Sequence, residues 1–221
     1  MDDKTNPQTP VRSFIEEPDI QWRYGKPNFE VVDRAYLAGK IRNHPVGSLE
    51  KTVENLVKTW EMESTHKMHE KDWQSVDKKV FFLQSNGGRK FNLAEQIQMG
   101  NYNLFFHDSV LYNSDLTSDE SLHLFQEAFN HGFPWEVLDV ISGPPKVCFT
   151  WRHWGKFEGP YNGFEPTGKT LEMTGFCVVN VTEDLKIQSI DVFFDPHALI
   201  LKLMGCQPFT KWQCPFVQLR K

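Results

Sequence analysis

The sequence predicts an α+β fold in which three main helices pack on one face of a curved antiparallel sheet. Three stretches with helical periodicity come first, and four successive strand patterns follow between Trp135 and Phe194. A chain of 221 residues, 39% of them hydrophobic, can bury roughly 70% of its unfolded surface as one large domain. No covalent staple is needed at that size.

The elements justify themselves in order. Residues 1 to 13 are polar, carry two prolines and read as a tail. From Phe14 to Lys40, Trp22, Tyr24, Phe29, Tyr36 and Leu37 alternate with Pro18, Gly25 and Pro27, which suits an arm ending in a short helix over residues 31–38. Five large apolar side chains on an arm must cover something. Ser48 is an N-cap, with Glu50 in the first turn and Lys51 at the third position. The helix it opens is expected to run to about Lys71, with Leu49, Val53, Leu56, Val57, Trp60 and Ser64 on one face. Glu63 falls on that face, either lining a cavity or lying in solvent beyond the edge of the sheet. The spacing Glu63, His66, His69 spreads its side chains too far around a helix to face one metal ion.

A strand over Lys78–Gln84 is turned by Asn86-Gly87-Gly88, and Asn92 with Glu95 makes a capping box for a second helix reaching Phe106. Thr117 or Ser118 starts a third helix, with Leu122, Phe125 and Phe129 on one face and Gly132 after it. Strands then follow at Trp135–Ser142 and, past Gly143-Pro144-Pro145, at Val147–Trp154. Gly155, Gly159, Pro160, Gly163, Pro166 and Gly168 make the next stretch a long loop, more often functional than idle. Lys169–Thr182 and Lys186–Phe194 form a hairpin turned at Glu183-Asp184-Leu185. Asp195 and Pro196 are the N-cap and first residue of a short helix closed by Gly205. The division is thus a tail and arm over 1–40, a domain over 41–205 and a tail over 206–221, whose Phe209, Trp212 and Phe216 suit docking on the domain or on a partner.

Composition narrows the function. A net charge of −5 argues against a nucleic-acid surface. The first twenty residues hold no apolar run long enough for a signal peptide or membrane anchor, and four cysteines without CxxC spacing suit reduced thiols, which points to a cytoplasmic location. Aromatic content of 14% suits a thick core or a pocket for flat rings, so the expected partner is a small hydrophobic molecule. The histidine and cysteine spacings predict no metal and no redox cofactor. A homodimer stays open.

The order Arg152, Gly155, Gly159, Glu165-Pro166-Thr167-Gly168-Lys169, Gly175, Asp184-x-Lys186-Ile187 and Asp195 resembles the SnoaL-like polyketide cyclase family. That family has the cone-shaped fold of nuclear transport factor two, scytalone dehydratase and ketosteroid isomerase. A wider match looks like its plant-type pathogen-related branch, through Arg12-Ser13-Phe14, Trp22-Arg23-x-Gly25, Gly47-Ser48-Leu49-Glu50, Lys58-Thr59-Trp60-Glu61-Met62-Glu63 and Arg152-His153-Trp154-Gly155.

The resemblance implies cofactor-free proton transfer beside a carbonyl, by a carboxylate or imidazole in a dry cone. It makes Asp195 the proton carrier, a role that competes with its capping role; His153, as an acid or base on its strand, and Asp191, which shares parity with Asp195 along its own strand, are the other catalytic candidates. Arg152 and His153 alternate along one strand, so only one of them can face the cavity. Arg152, Trp60, Glu63, Trp154 and Phe106 are the candidate substrate contacts, the helix holding Phe106 sitting at the mouth of cone folds. The function implied is a cofactor-independent lyase or isomerase acting on a polyketide-like carbonyl compound in secondary metabolism or defence. The alternative is a non-catalytic protein binding a hydrophobic metabolite.

Overall fold

The computed structural model describes residues 8–206; residues 1–7 and the tail segment with Phe209, Trp212 and Phe216 lie outside the described residues. Helix α1 (Glu30–Gly39) and helix α2 (Leu49–His66) come first, then a 3₁₀ turn at Glu70–Asp72. Next come β1 (Phe82–Ser85), β2 (Lys90–Asn92), α3 (Leu93–Met99), α4 (Asn101–Phe105) and α5 (Ser118–Ala128). Strands β3 (Trp135–Ser142), β4 (Lys146–Lys156), β5 (Thr170–Val181) and β6 (Ile187–Phe194) follow, and α6 (Pro196–Leu203) ends the described chain. The class is α+β, with a six-stranded curved sheet in the order β2-β1-β6-β5-β4-β3.

Four local expectations are corrected. The sheet is mixed, because β1 pairs with β6 in parallel, Leu83 opposite Ile190. Helix α2 stops at His66, five residues short of the expected end: Lys67 turns extended and its main chain then bonds the arm, Met68 N donating to Gln21 O at 3.2 Å. The helix expected from Asn92 to Phe106 is two, broken at Gly100, whose φ of +78° favours glycine. Residues 78–80 form a turn rather than strand, so β1 is short.

Local signals explain the elements that matched. Ser48 accepts from Lys51 N, and Asn92 with Glu95 and Thr117 with Glu120 form complete capping boxes. Each strand of the β4–β5–β6 meander alternates, sending Phe149, Trp151 and His153 of β4 to the helix side and Thr150, Arg152 and Trp154 to the other.

The arm is laced onto α2. Val11 N donates to Asn55 Oδ1 (3.1 Å), Ser13 N to Thr59 Oγ1 (3.0 Å) and Arg23 N to His66 O (2.8 Å). With the arm and α1 on one side and the sheet on the other, α2 is buried nearly all round, including Lys51, Glu54, Lys58 and Glu63. Its charges are therefore paired internally: Lys51 with Glu54, which also accepts from Tyr36 Oη (2.7 Å), Lys58 with Glu61 (2.9 Å) and Lys67 with Glu63 (2.9 Å).

Candidate functional site: a cavity between the helices and the sheet

Between α2, α4, α5, the arm and the helix side of the sheet lies a cavity of about 400 Å³, within the range of small-molecule sites. Its floor holds three indoles. Trp60 of α2 and Trp135 of β3 have centroids 6.1 Å apart, and Trp151 of β4 meets Trp135 edge to face at 5.4 Å. One wall is a stack in which Phe133 lies between His153 (3.6 Å) and Phe129 (4.0 Å), and Tyr102 stacks on Phe125 at 4.0 Å. Met173, Val192 and Phe194 complete the sheet side, while Arg12, Asn28, Phe29, Val31 and Val32 close the side of the arm and α1. The arm's aromatic content thus covers the cavity in part, through Phe29.

Glu61 is the carboxylate of this lining. Burial works to raise its pKa, but the charge and hydrogen bond of Lys58, aided by Arg12 and His153, outweigh it and hold the carboxyl below its ordinary value. Two imidazoles line the same space, and burial lowers each to a pKa of about 4, so both are neutral at physiological pH. Their tautomers follow from their partners. Pro134 O can only accept, so His153 Nδ1 donates to it at 3.0 Å, which leaves Nε2 as the lone pair 3.5 Å from Tyr102 Oη. Thr65 gives its one hydroxyl hydrogen to Glu61 O (2.7 Å), so His66 Nδ1 donates to Thr65 Oγ1 (2.6 Å) and its Nε2 is likewise unprotonated. Burial raises the Tyr102 phenol, which stays a neutral donor. Arg12 closes the ring of charge, held by both amino groups on Asp33 (2.6 and 2.9 Å) and stacked over Phe29 at 3.8 Å.

Of the residues singled out from sequence, the structure brings two to this cavity, His153 and Trp60. The others lie elsewhere. Asp195 caps α6, accepting from His197 N (2.9 Å) and Ala198 N (3.2 Å). Asp191 sits opposite Val178 and Gln84 on the outer face of the sheet, since its neighbour Val192 takes the cavity side. Arg152 also faces outward, ion-paired to Glu136 (2.9 Å) and Glu172 (3.3 Å) and stacked over Trp154 at 3.9 Å. Trp154 packs beneath α1, where a Cβ on Gly39 would come within 2.6 Å of its Nε1. Phe106 is core, between Phe125 and Tyr112.

Glu63 is neither a cavity acid nor a solvated one. It is fully buried and accepts from Lys67 Nζ (2.9 Å), Gln74 N (2.7 Å), Ser75 N (2.9 Å) and Ser75 Oγ (2.6 Å). The cavity residues that the sequence did not point to are Glu61, Tyr102 and the Phe133 wall, and His66 was weighed only within a metal spacing. Glu61 sits two positions before Glu63, about 200° around the helix, and periodicity put Glu63 on the apolar face and left Glu61 off it, whereas α2 is buried on both sides.

Among the described residues no cluster of three or more histidine, cysteine or acidic side chains is arranged to hold a metal ion, and no helix is long and apolar enough to cross a membrane. No protein-family model matches the chain. Among solved structures it is similar to a Jannaschia protein assigned as a SnoaL-like polyketide cyclase, with a TM-score of 0.40 and 13% identity over 75% of this chain and all of that one. It is also similar to a Catenulispora acidiphila protein with a ketosteroid isomerase-like fold (TM-score 0.40, 10% identity, 69% and 93% covered). A curated relative is much nearer in sequence: a pathogen-related protein of Hordeum vulgare, 37% identical over 196 residues, covering 83% of each chain. At that identity and coverage, this chain belongs to the pathogen-related protein family.

Proposed function

We propose that the protein binds a small, flat, largely apolar metabolite in the cavity between α2, α5 and the sheet. The observation that carries this reading is the lining itself: three indoles on the floor and a wall of parallel rings, with few ionisable groups among them. Stacked and edge-to-face contacts reward planar rings beyond their buried area. The acidities favour binding over chemistry. A general base works best with a pKa near the operating pH, whereas His66 and His153 lie at about 4, Glu61 is held low and Tyr102 high.

The test is titration of the wild-type chain with flat ring compounds, followed by tryptophan fluorescence, beside Leu122→Trp, which fills the cavity from α5. Quenching by the wild type that is lost in the variant supports the reading. Equal quenching in both, or none in either, overturns it.

A second reading is favoured by one observation: Glu61, His153 and Tyr102 converge on one apolar space. It is a cofactor-independent lyase or isomerase, in which His153 Nε2 or Glu61 takes a proton and Tyr102 donates to the developing oxyanion. A metabolite screen that yields turnover, abolished in both His153→Asn and Glu61→Gln, would favour this reading. Turnover unchanged in both variants would discard it.

A further inference from the structure

We infer that the compound held in this cavity carries a hydrogen-bond donor, a ring hydroxyl or ring N–H, presented to Glu61 and His153. The inference rests on the proposed binding of a flat apolar compound and adds the polar group by which one such compound is told from another.

It follows from counting donors and acceptors around the corner where α2 meets β4. Most donors there are already committed, the exceptions being the second amide hydrogen of Asn101 and the Tyr102 hydroxyl, which is only loosely paired with His153 Nε2. Gln96 Nε2 donates to Asn101 Oδ1 (2.7 Å), Asn101 Nδ2 to Ser64 Oγ (2.7 Å) and Ser64 Oγ to Glu61 O (3.1 Å), a chain that ends on the helix backbone. Thr65 Oγ1 ends on the same carbonyl, and Ser121 Oγ on Ser118 O at 2.9 Å. Arg12 spends one N–H of each amino group on Asp33 and lays its face on the Phe29 ring. The indole nitrogens of Trp60 and Trp135, though unpartnered among the described residues, are sealed from the cavity surface. The remaining amides, Asn28, Gln126 and Asn130, belong to the arm, to α5 and to the residues just after it.

What this corner presents is acceptors. Among the described residues Glu61 takes one hydrogen bond, from Lys58 to Oε2, which leaves Oε1 open. His153 Nε2 is a lone pair with only the loose 3.5 Å contact to Tyr102 Oη. The side chain of Glu61 is 27% exposed while that of Lys58 is 2% exposed, so the carboxylate reaches the open space and its counter-charge stays behind it. A ligand oxygen without hydrogen placed between Glu61 and His153 would meet two lone-pair bearers, with the Tyr102 hydroxyl the one nearby group able to donate to it. A hydroxyl would make a charge-assisted bond, about twice as strong as a neutral one. A site built to receive a donor rejects the analogue that lacks it, because its own polar groups are then left unpaired.

Calorimetric titration of the wild-type chain with 2-naphthol, 2-methoxynaphthalene and naphthalene at neutral pH separates the two levels of the argument. The expected result is 2-naphthol binding about 10- to 100-fold more tightly than the other two. Affinities for all three within about threefold would overturn the donor inference and leave the binding reading standing. No binding of any of the three would overturn the binding reading and this inference with it. In Glu61→Gln, whose amide can donate to an ether, the preference for 2-naphthol should shrink to a few-fold; an undiminished preference would contradict the assignment to Glu61. That variant strands Lys58, so Glu61→Gln combined with Lys58→Met is the form to use should the single variant fail to fold.

Discussion

Replacing Glu63 by Gln tests the distinction between the two acids of α2. Glu63 has no exposed surface and accepts four hydrogen bonds, from Lys67, from the main chains of Gln74 and Ser75, and from the Ser75 hydroxyl. Lys67, equally buried, would be left with the carbonyls of Phe14 (3.2 Å) and Asp72 (2.8 Å) and no counter-charge. Breaking a buried pair from one side typically costs about 3–5 kcal/mol, a large share of the roughly 5–15 kcal/mol a domain has. For a chain of 221 residues, at about 2–4 °C per kcal/mol, the melting temperature should fall by roughly 6–20 °C. Scanning calorimetry of Glu63→Gln, Lys67→Met and the double variant gives the answer, and the double should cost less than the sum of the singles. Because Glu63 does not line the cavity, Glu63→Gln measured well below its melting point should keep wild-type ligand affinity. A melting temperature within about 2 °C of wild type would refute the buried-pair argument, and a lost affinity would refute the placement.

The capping role of Asp195 predicts that Asp195→Asn changes stability by well under about 0.5 kcal/mol while Asp195→Ala costs about 1 kcal/mol; equal losses in denaturant titrations would contradict it. His153 and His66 are depressed from 6.5 to about 4, so the unfolded chain binds more protons between those values. Their contribution is complete above the unfolded value and is lost as pH falls through the window down to about 4. Unfolding free energies measured from pH 7 to pH 5 should therefore decline, less steeply in His153→Asn, and a flat profile would count against neutral buried imidazoles. Gly175→Ala would put a Cβ 2.4 Å from both Phe193 O and Trp151 Cζ2. It should cost roughly 1–3 kcal/mol as overpacking and alter the near-ultraviolet signal of the indole floor; an unchanged spectrum and stability would show the floor to be looser than described.

The helices and the meander were legible because their signals are local. Ser48, Asn92, Thr117 and the Asp195-Pro196 pair all cap what they were expected to cap. The parallel β1–β6 pairing was not legible, since it joins segments about a hundred residues apart with nothing in either that encodes a partner's direction. The end of α2 was missed because the arm takes over its last contacts, and an arm's docking cannot be read from periodicity.

The site was legible only in part, for a related reason. Alternation along β4 made His153 and Arg152 exclusive, and His153 proved to be the inward one. Asp191 and Asp195 share a parity, but Val192 and Phe194 hold the cavity side of β6. Of the four glutamates of α2, Glu54, Glu61 and Glu63 are each paired with a lysine. Only the packing of α1, the arm and α4 around the helix decides that Glu61 alone of these meets the open space.

A structure of the protein purified from its own source, with whatever small molecule it retains, bears most directly on the central claim. The account predicts a flat compound lying over Trp135 and Trp151 beside the His153–Phe133 stack, with a donor within hydrogen-bond distance of Glu61 or His153 Nε2. A retained compound seated outside this cavity, against Asp195 or the outer face of the sheet, would contradict it.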